Sequence, residues 1–568
     1  MKYLAKGLLS VLVMIWICVG LVEKANAQDS DTLDVTPGFE TLNLAIEGDT
    51  VVTGDDAGEP LNLNRVYRLE RGGAYGLNGA VSNLTGHIFE GYPDSVGSVH
   101  LRIVAAEGDG PLPMLIPYAD ETGEADRVAR LYGEGTFHDL YMTGIDNLGN
   151  QADKNMVRIE KKGGRYILDG CFLDYDAQSF VRMNSTDQKL FITNTIMRNS
   201  ANLASPGNGR FVDTRGNLVD TVFVQNCTFY TSCSNAFRDG DGVIKYFFWD
   251  HVTLSQSGGA VSISKAVNAS ITNSLFLDVD FEGTVHSPGD PADTMWSEVI
   301  EIDTLNAPDL ATEDQRSIVI SNNSHAYSTA VQAHLDGIDS VKASVWFDQT
   351  GQYFVDTYTG IVAENNINEY PTFSDPPASD SILAWAIHRL ETGFSNVGNP
   401  AIWADRNGIA ALIDDPLSVG PAPDEYDFDY AHGDESFTHA EDNFPLGDLN
   451  WFPVQKAAWE AGSTAVGIAD QIPAVPSRFS LAQNFPNPFN PSTTIAYSLN
   501  KAADVEMAVY NILGQKIRTL VNKNLQAGEY SAQWNGRNNE GNLVASGIYF
   551  YQLVAGDQIQ VRKMLLMR

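Results

Sequence analysis

The chain has 568 residues, of which 72 are Asp or Glu and 36 are Lys or Arg, so its formal net charge at pH 7 is −36. A charge of this sign and size repels nucleic acid and anionic membrane surfaces, which excludes both as partners of the chain as a whole. The length is sufficient for several domains, since one domain usually has about 100–200 residues.

Residues 1–27 have the pattern of a cleaved secretory signal. Two lysines precede an apolar run from residue 8 to residue 22, and Ala25-Asn26-Ala27 provides the small-x-small pattern that signal peptidase cuts. A membrane anchor is the alternative, but roughly 15 apolar residues are fewer than the ~20 that span a bilayer. We therefore expect cleavage before Gln28, export, and no membrane span in the mature chain.

Three cysteines remain after this cleavage, namely Cys171, Cys227 and Cys233. An odd number without regular spacing is not a disulfide framework. A disulfide between Cys227 and Cys233 is the alternative, but free cysteine is among the most buried residue types. We expect all three to be small buried apolar residues.

A short pattern, apolar at both ends and often with Asn in the middle, recurs between about residues 130 and 330. It aligns without gaps at 192–197, 224–229, 249–254 and 271–276, and more loosely at 168–172 and 138–142. Its marker positions are 139, 169, 194, 226, 251 and 273, which lie 22 to 32 residues apart. A β-rich repeat of this length, varying at its loops, is typical of a right-handed parallel β-helix.

In such a fold each turn of the coil buries its apolar side by stacking on the next turn, about 4.8 Å away. We predict two inward columns: Ile192, Val224, Trp249 and Ile271, and then Met197, Phe229, Leu254 and Phe276. Asn194, Asn226 and Asn273 lie where the chain must bend. A ligand site is one interpretation of them. We favour a stacked ladder, because Asn suits a left-handed backbone and bonds from side chain to backbone.

A second strand of each turn aligns at 180–184, 211–215, 236–239 and 260–264, and alternation sends Val181, Val212, Phe237 and Val261 inward. The outward face then carries Phe180, Arg182, Asn184, Phe211, Asp213, Arg215 and Arg238. Three arginines with two phenylalanines suit a sugar that bears a carboxylate or sulfate, since guanidinium binds oxyanions through paired hydrogen bonds. The alternative is an ordinary column of salt bridges, Arg182–Asp213–Arg238, on a solvated face.

The segments on either side of the repeat extend the predicted β-helix. Residues 64–75 and 100–113 predict its first turns, and residues 280–315 predict a loop insertion. Residues 325–415 break the repeat and contain an amphipathic helix at 381–390, which we expect to cap an exposed end of the coil. Residues 444–451, Phe-Pro-Leu-Gly-Asp-Leu-Asn-Trp, resemble the closing element of secreted β-helix proteins related to polysaccharide lyases.

With these segments and the Asn-containing turns, residues ~60–455 resemble secreted β-helix proteins related to chondroitinase B- and alginate-lyase-like polysaccharide lyases. Such lyases remove the proton beside a uronic carboxylate, with Ca²⁺ or Arg neutralising the acid and Lys or Arg acting as base. The resemblance makes Lys245 and Arg238 candidate catalytic residues, with Lys265 nearby, and Ca²⁺ a candidate cofactor. Candidate Ca²⁺ ligands are Asp239, Asp241, Asp278, Asp280 and Glu282, for which solvated acidic loops are the alternative.

From residue 472 the chain changes character. A Pro-containing linker is followed by Asn-Phe-Pro-Asn-Pro-Phe-Asn-Pro at 484–491 and by short strand-like runs between Gly- and Asn-containing turns. The runs are 493–499, 505–511, 515–521, 528–534, 547–554 and 558–566. Six short strands in about 90 residues predict an antiparallel β-sandwich of immunoglobulin-like size.

Residues 484–495 resemble the opening of the C-terminal sorting domain of type IX secretion substrates. Residues 509–515, 545–550 and 562–566 match its later blocks in the same order. The resemblance implies export across the outer membrane by the type IX machinery, after which such tails are commonly cleaved and the cargo is released or attached to the surface. A carbohydrate-binding sandwich is the alternative, but no exposed aromatic cluster is evident.

The sequence thus predicts an all-β chain. Its parts are a signal peptide (1–27), an N-terminal lead-in (28–60), a right-handed parallel β-helix with insertions and cap (61–455), a linker (456–478) and a sorting β-sandwich (479–568). Two functions remain open, since β-helices serve both. One is the binding or cleavage of an acidic polysaccharide, and the other is a non-catalytic surface or adhesive protein with the coil as a rigid scaffold.

Overall fold

The structure is a computed structural model of the chain. It describes residues 32–48, 65–81, 100–108, 110–282, 284–285, 298–338, 341–403, 426–462, 480–481, 484, 489, 492–499, 503–511, 515–525, 528–539, 542–556 and 558–566. The predicted signal peptide lies outside the described residues, as do residues 463–478 of the predicted linker. The chain forms two compact units, Met1–Ala465 and Val466–Arg568, and each is considered by itself.

The first unit is a coil of parallel strands in which a full turn contributes one strand to each of three sheets, A, B and C. Sheet A consists of Thr32–Val35, Val66–Leu69, His100–Ala105, Glu134–His138, Arg165–Asp169, Lys189–Thr193, the first parts of Val219–Arg238 and Val243–Ser262, Lys265–Thr272, Ser317–Ser321 and Ile361–Glu364.

Sheet B consists of Gly38–Phe39, Ala74–Leu77, Met114–Pro117, Tyr141–Thr143, Phe172–Asp176, Ile196–Ser200, the middle parts of the two long strands, Leu275–Val279 and Ser324–Ala326. Sheet C consists of Ala129–Leu131, Val157–Ile159, Ser179–Met183, Arg210–Asp213, the last parts of the two long strands, and Ile300–Glu301. The predicted fold class, a parallel β-helix followed by a small immunoglobulin-like antiparallel unit, is confirmed.

The interior of the coil is a stack of apolar columns. Both predicted inward columns are present: within each, the members are register partners on successive turns and are buried. The Trp249 ring lies parallel to those of Phe247 and Phe276, at 6.1 and 6.5 Å between centroids. Burying one such side chain contributes about 1.5–3 kcal/mol, and stacked rings add to this, so the columns hold the turns together.

The bends between sheets A and B contain the predicted asparagines. Asn194, Asn226 and Asn273 have φ values of 51°, 51° and 55°, in the left-handed region that Asn tolerates well. The Nδ2 atom of Asn194 donates to Asp169 Oδ1 at 2.7 Å, and that of Asn273 donates to Asp250 Oδ1 at 2.8 Å. The predicted bend positions are confirmed, but Asn194 and Asn273 donate to carboxylates of the preceding turn rather than to backbone groups, and the buried Oδ1 atom of Asn226 has no hydrogen-bond partner in the described part of the chain.

One marker of the repeat was misplaced by a single residue. Leu168 is the register partner of Ile192, so Gly170, rather than residue 169, occupies the place of Asn194. Gly170 has a φ of 64°, and a Cβ atom there would lie 2.1 Å from Asp139 Oδ1. Asn194 and Asn226 adopt a similar φ at the same bend, so the close approach of the Asp139 side chain, rather than φ alone, favours glycine at residue 170.

The remaining elements of the first unit lie around the coil. The helices are α1 (Thr41–Gly48), α2 (Thr329–Asp336), α3 (Gln349–Thr357), α4 (Asp380–Glu391) and α5 (Pro453–Glu460). Short 3-10 turns occur at Glu313–Gln315, Glu435–Thr438, Glu441–Asn443 and Leu449–Trp451. Two antiparallel pairs are formed by Thr284–Val285 with Val341–Lys342 and by Phe373–Asp375 with Asp427–Tyr430.

The ends of the coil are covered by helices that the sequence did not reveal. Helix α1 follows the first turn and inserts Leu42 and Ile46 into the core, and α3 inserts Phe354 beside the last turns. The predicted helix at 381–390 exists as α4, but its position was predicted wrongly. Trp385 of α4 packs against Ala201, Cys233 and Phe281, on the flank of successive turns. An apolar stripe on a helix predicts which face of the helix is buried, but not which part of the protein that face packs against.

The repeat also extends further than predicted. Ile300–Glu301, inside the predicted insertion, pairs with the end of Val243–Ser262, and Ile361–Glu364 pairs with Ser317–Ser321. Long connections between these strands hide the period in the sequence. Asn322 and Asn365 continue the left-handed bend, with φ values of 56° and 55°.

The predicted closing element lies along the outer face of sheet B rather than over an end. The Asp448 carboxylate accepts the Thr228 hydroxyl at 2.8 Å, and the Asp448 N–H donates to Thr253 Oγ1 at 3.0 Å. Two residues further on, Asn450 Nδ2 donates to the Asn226 carbonyl at 2.8 Å. The segment therefore supplies hydrogen-bond partners to polar groups on successive turns of the coil.

The second unit has two antiparallel sheets. One consists of Ser480–Leu481, Thr493–Leu499 and Gly528–Trp534, and the other of Lys516–Leu525, Ala503–Asn511, Gly547–Ala555 and Gln558–Leu566. Every predicted strand is present, and the bounds of 493–499, 528–534 and 558–566 are as predicted. The buried Asn484 donates its N–H to Tyr551 Oη at 2.7 Å and its Nδ2 to Thr493 Oγ1 at 2.9 Å.

Cys171, Cys227 and Cys233 are buried free thiols, as predicted. Among the residues that the structure describes, no helix is both long and apolar enough to cross a membrane.

Candidate functional site

One outward column of sheet C consists mainly of arginines. Arg130, Arg158, Arg182, Asp213 and Arg238 are successive register partners. Side chains at one register position project to the same side of a sheet, and neighbouring strands lie about 4.8 Å apart. We call this column the arginine ladder.

Asp213 is the fully buried carboxylate of the ladder. Its Oδ2 atom lies 3.5 Å from Arg182 Nη2 and 3.3 Å from Arg210 Nη1, and its Oδ1 atom accepts the Arg215 N–H at 3.0 Å. Arg210 begins the same strand and is also buried. A single carboxylate oxygen is thus shared by two guanidinium groups, and its one charge cannot balance both.

Arg215 and Arg238 add two further positive charges without adding a carboxylate. Neither guanidinium forms an ion pair with a residue in the described part of the chain, and Arg215 is exposed. The Nε atoms of Arg182 and Arg210 are buried without a hydrogen-bond acceptor. Burial is the main effect that lowers the pKa of both Arg182 and Arg210, and Asp213 opposes it. Arg215 lowers the pKa of Arg182 further, and Arg238 lowers that of Arg210. The region holds an excess of positive charge.

The predicted outer residues Arg182, Asp213, Arg215 and Arg238 are therefore brought together. The alternative salt-bridge column is present in part, because Arg182 pairs with Asp213 whereas Arg238 has no such pair among the described residues. What this arrangement offers chemically is an anion-binding face, since guanidinium N–H groups can each donate to an added oxyanion.

Phe180 and Phe211 were predicted wrongly to share this outer face. Both are fully buried, their rings lie parallel at 6.0 Å, and the Phe211 ring is 5.2 Å from that of Phe229 in the inward column. Strict alternation along sheet C begins one residue later, at Val181 and Val212. Phe180 and Phe211 are each the second residue of their strands, so two consecutive side chains enter the core near the start of each strand.

The two candidate catalytic residues lie on different sheets. Lys245 is the third residue of the strand Val243–Ser262, in its sheet A part, with Nζ 2.8 Å from Asp187 Oδ1 and 3.9 Å from Asp220 Oδ2. The hydrogen bond to Asp187 outweighs burial and raises the pKa of Lys245. A catalytic base needs a pKa near the working pH, so these contacts oppose that role. Arg238 belongs to sheet C.

The carboxylates predicted as Ca²⁺ ligands do not come together as one site. Asp239 accepts two serine hydroxyls, Asp241 pairs with a lysine, and Asp278 and Asp280 each bond to a different serine. Glu282 accepts the indole N–H of a tryptophan of α4. Calcium takes 6–8 oxygen ligands, and within the described ranges no group of three or more metal-binding side chains is assembled.

Several residues of the basic face were not predicted, namely Arg127, Arg130, Arg158, Glu160 and Arg210. A signal for two of them exists in the sequence. Ala129-Arg130-Leu131 and Val157-Arg158-Ile159 have the same apolar–Arg–apolar order as Val181-Arg182-Met183. The loops between them differ in length, which conceals the register.

Comparisons with known proteins concern part of the chain. Residues 490–558 match the family described as FlgD Ig-like domain, in agreement with the second unit's fold. No curated protein matches the chain.

Two solved structures are similar over short stretches. One is dimeric latent PorU from Porphyromonas gingivalis, at 17% identity over 16% of this chain and 9% of that chain, with a TM-score of 0.14. The other is PorZ of the same organism, described as an essential bacterial surface component of its type-IX secretion system, at 19% identity over 17% of this chain and 12% of that chain, with a TM-score of 0.13. The chain thus spans only a small fraction of either protein's length.

Proposed function

We propose that this chain is an exported protein, secreted or held at the cell surface, that binds an acidic polysaccharide through the arginine ladder. One observation carries the proposal. The guanidinium groups of Arg182 and Arg210 both approach the buried carboxylate of Asp213, Arg215 lies close to it in sequence and Arg238 is its register partner, in a chain whose formal net charge is −36. A local excess of positive charge on so acidic a chain favours the binding of an anion at this face.

The shape of the face favours a chain-like ligand. Sheet C presents its outward column along the axis of the coil, with one position per turn about every 4.8 Å. This step is close to the length of one sugar in an extended polysaccharide, so successive acidic groups can meet successive guanidinium groups.

Export rests on the two ends of the chain. The N-terminal pattern of two lysines, an apolar run and Ala25-Asn26-Ala27 supports passage across the inner membrane. The ordered blocks from Asn484 to the C-terminus support sorting by the type IX machinery, and the immunoglobulin-like fold of residues 490–558 is compatible with that role. Secretion assays with residues 479–568 removed test this part, and unchanged export would contradict it.

The binding experiment uses the full mature chain with polygalacturonate, alginate and heparin, and with neutral dextran as a control polymer. Isothermal titration at low and at physiological salt should show binding to at least one acidic polymer, none to dextran, and weaker binding at the higher salt because ionic contacts are screened. The triple variant R182A/R215A/R238A should lose at least about tenfold in affinity, which corresponds to about 1.4 kcal/mol.

A matched control removes the same charge elsewhere. The variant K162A/K189A/K245A removes three positive charges on or beside sheet A. If both triple variants lose affinity equally, binding follows net charge rather than the ladder, and the proposal fails. If no acidic polymer binds, the non-catalytic scaffold function takes its place.

Cleavage can be measured in the same samples. The ultraviolet absorbance of an unsaturated uronate, followed with and without Ca²⁺, would reveal a lyase. Absence of product with every bound polymer would limit the function to binding.

A further inference from the structure

We infer that the basic face contains a second anion subsite, formed by Arg127, Arg130 and Arg158 around Glu160, so that the ligand is a polyanion lying along the coil axis. The inference rests on the proposed function and specifies its ligand: a chain with acidic groups on successive sugars, rather than one acidic sugar.

The contacts of Glu160 repeat the arrangement around Asp213. Its Oε1 atom lies 2.9 Å from Arg130 Nε and 2.7 Å from Arg158 Nε, and its Oε2 atom accepts Asn184 Nδ2 at 2.7 Å. In each case one carboxylate lies between two guanidinium groups from the same face. The arginines around Glu160 are the more accessible, with 34% of the Arg130 side chain and 26% of the Arg158 side chain exposed.

Arg127 provides an independent indication that this region receives an anion. It is 9% exposed, and its Nε and Nη1 atoms have no hydrogen-bond partner. The nearest carboxylate oxygen, Asp126 Oδ1, lies 3.4 Å from Nε in an ion pair without hydrogen-bond geometry. Burial is the main effect that lowers the pKa of Arg127, and Arg158 and Arg130 lower it further. An added carboxylate or sulfate would satisfy these N–H groups and relieve the repulsion.

The two subsites lie on one straight column. Arg158 is the register partner of Arg182, and Arg182 is that of Asp213. Two turns therefore separate the strand of Arg158 from that of Asp213, or about 10 Å along the axis. A monosaccharide cannot span this separation, whereas an oligosaccharide aligned with the axis can occupy both subsites and gains from linking them.

The test compares ligand lengths. Defined oligogalacturonates, from a disaccharide to an octasaccharide, are titrated into the full mature wild-type chain, R130A/R158A and R182A/R238A, with heparin fragments of matched length as the sulfated alternative. For wild type, affinity should rise by at least about tenfold between the shortest and the longest fragment. R130A/R158A should lose this gain while binding the disaccharide as wild type does, whereas R182A/R238A should bind both more weakly.

A conservative variant distinguishes the loss of the subsite from a folding defect. R130K/R158K keeps both charges but not the planar, two-pronged geometry, and should recover part of the length dependence. If R130A/R158A binds the octasaccharide as tightly as wild type while R182A/R238A does not, the second subsite is refuted and the proposed function stands. If neither variant changes the affinity for any fragment, the proposed function itself fails.

Discussion

Asp213 lies directly beside Arg182 on the next turn of the coil, and its buried Oδ2 atom is 3.5 Å from Nη2 of that arginine. Arg210 approaches the same oxygen from the start of its own strand, at 3.3 Å. The basic face therefore already contains a carboxylate of the chain itself, at a position that the carboxylate of a bound ligand would otherwise occupy. Under the proposed function, the stability of the coil and the strength of ligand binding are linked through this residue.

Replacing that carboxylate should move stability and affinity in opposite directions. In D213N the loss of a buried charged partner should lower the free energy of unfolding by about 1–3 kcal/mol. Affinity for acidic polysaccharide should rise several-fold, because the face gains one net positive charge. Urea denaturation and titration calorimetry measure the two effects. D220N, which makes the same charge change beside sheet A, serves as the control, and weaker binding by D213N than by D220N would contradict the prediction.

The buried position of Phe180 predicts a structural effect only. F180A should lower the free energy of unfolding by about 3–5 kcal/mol, because it removes a ring that is fully buried against Phe211. F180L, which retains most of the apolar volume, should lose much less. At a temperature where both variants are folded, their affinity for acidic polysaccharide should equal that of wild type. A lower affinity in F180L would indicate that the Phe180 side chain contributes to binding, and would contradict the prediction.

The left-handed bend at Asn194 should discriminate between alanine and glycine. N194A introduces a side chain that disfavours a φ of 51°, whereas N194G tolerates it, and both lose the hydrogen bonds to Asp169 and Lys456. N194A should therefore be less stable than N194G by about 1–2 kcal/mol. Thermal and urea unfolding measure this difference. If the two variants lose the same amount of stability, the hydrogen bonds, rather than the backbone conformation, determine the choice of Asn.

His138 should make stability depend on pH above neutrality. Burial lowers the pKa of His138, but its contacts with Asp139 at 3.1 Å and Asp169 at 3.2 Å outweigh burial and raise the pKa to about 9. Since the unfolded value is about 6.5, the stabilisation is fully present below that pH and is lost as the pH rises through about 9.

The size of this effect is at most about 3 kcal/mol, since one pKa unit corresponds to 1.36 kcal/mol. Urea denaturation should show that the free energy of unfolding of the wild type falls between pH 6 and pH 10, and that it falls less in H138Q. An identical pH dependence in the two proteins would assign the effect to another group.

Much of the fold was predictable because its determinants are local. Ile192, Val224, Trp249 and Ile271 recur with the spacing of the repeat, and their burial follows from that pattern alone. The strands of the second unit follow likewise from alternating apolar residues between Gly- and Asn-containing turns. The coil-end helices α1 and α3 were missed, because they are short and occur once each, with no repeat to reveal them.

The site was predictable only where alternation holds. Arg182, Asp213 and Arg238 were placed correctly on one face, since each follows an inward residue of a regular strand. Phe180 and Phe211 were not, because two consecutive side chains enter the core near the start of their strands. Arg130 and Arg158 belong to the same column, but recognising them needs the register across connections of unequal length.

The sequence by itself determined the parallel coil, its inward columns, its asparagine bends and the antiparallel second unit, because each depends on periodicity within a few residues. Only the tertiary structure decided which outward side chains meet. Register joins Arg158 to Arg182 and Arg182 to Asp213 across loops of different length, and residues 444–451 cover sheet B from far along the chain. Such contacts depend on the free energy of packing the whole coil, and no local pattern encodes that energy.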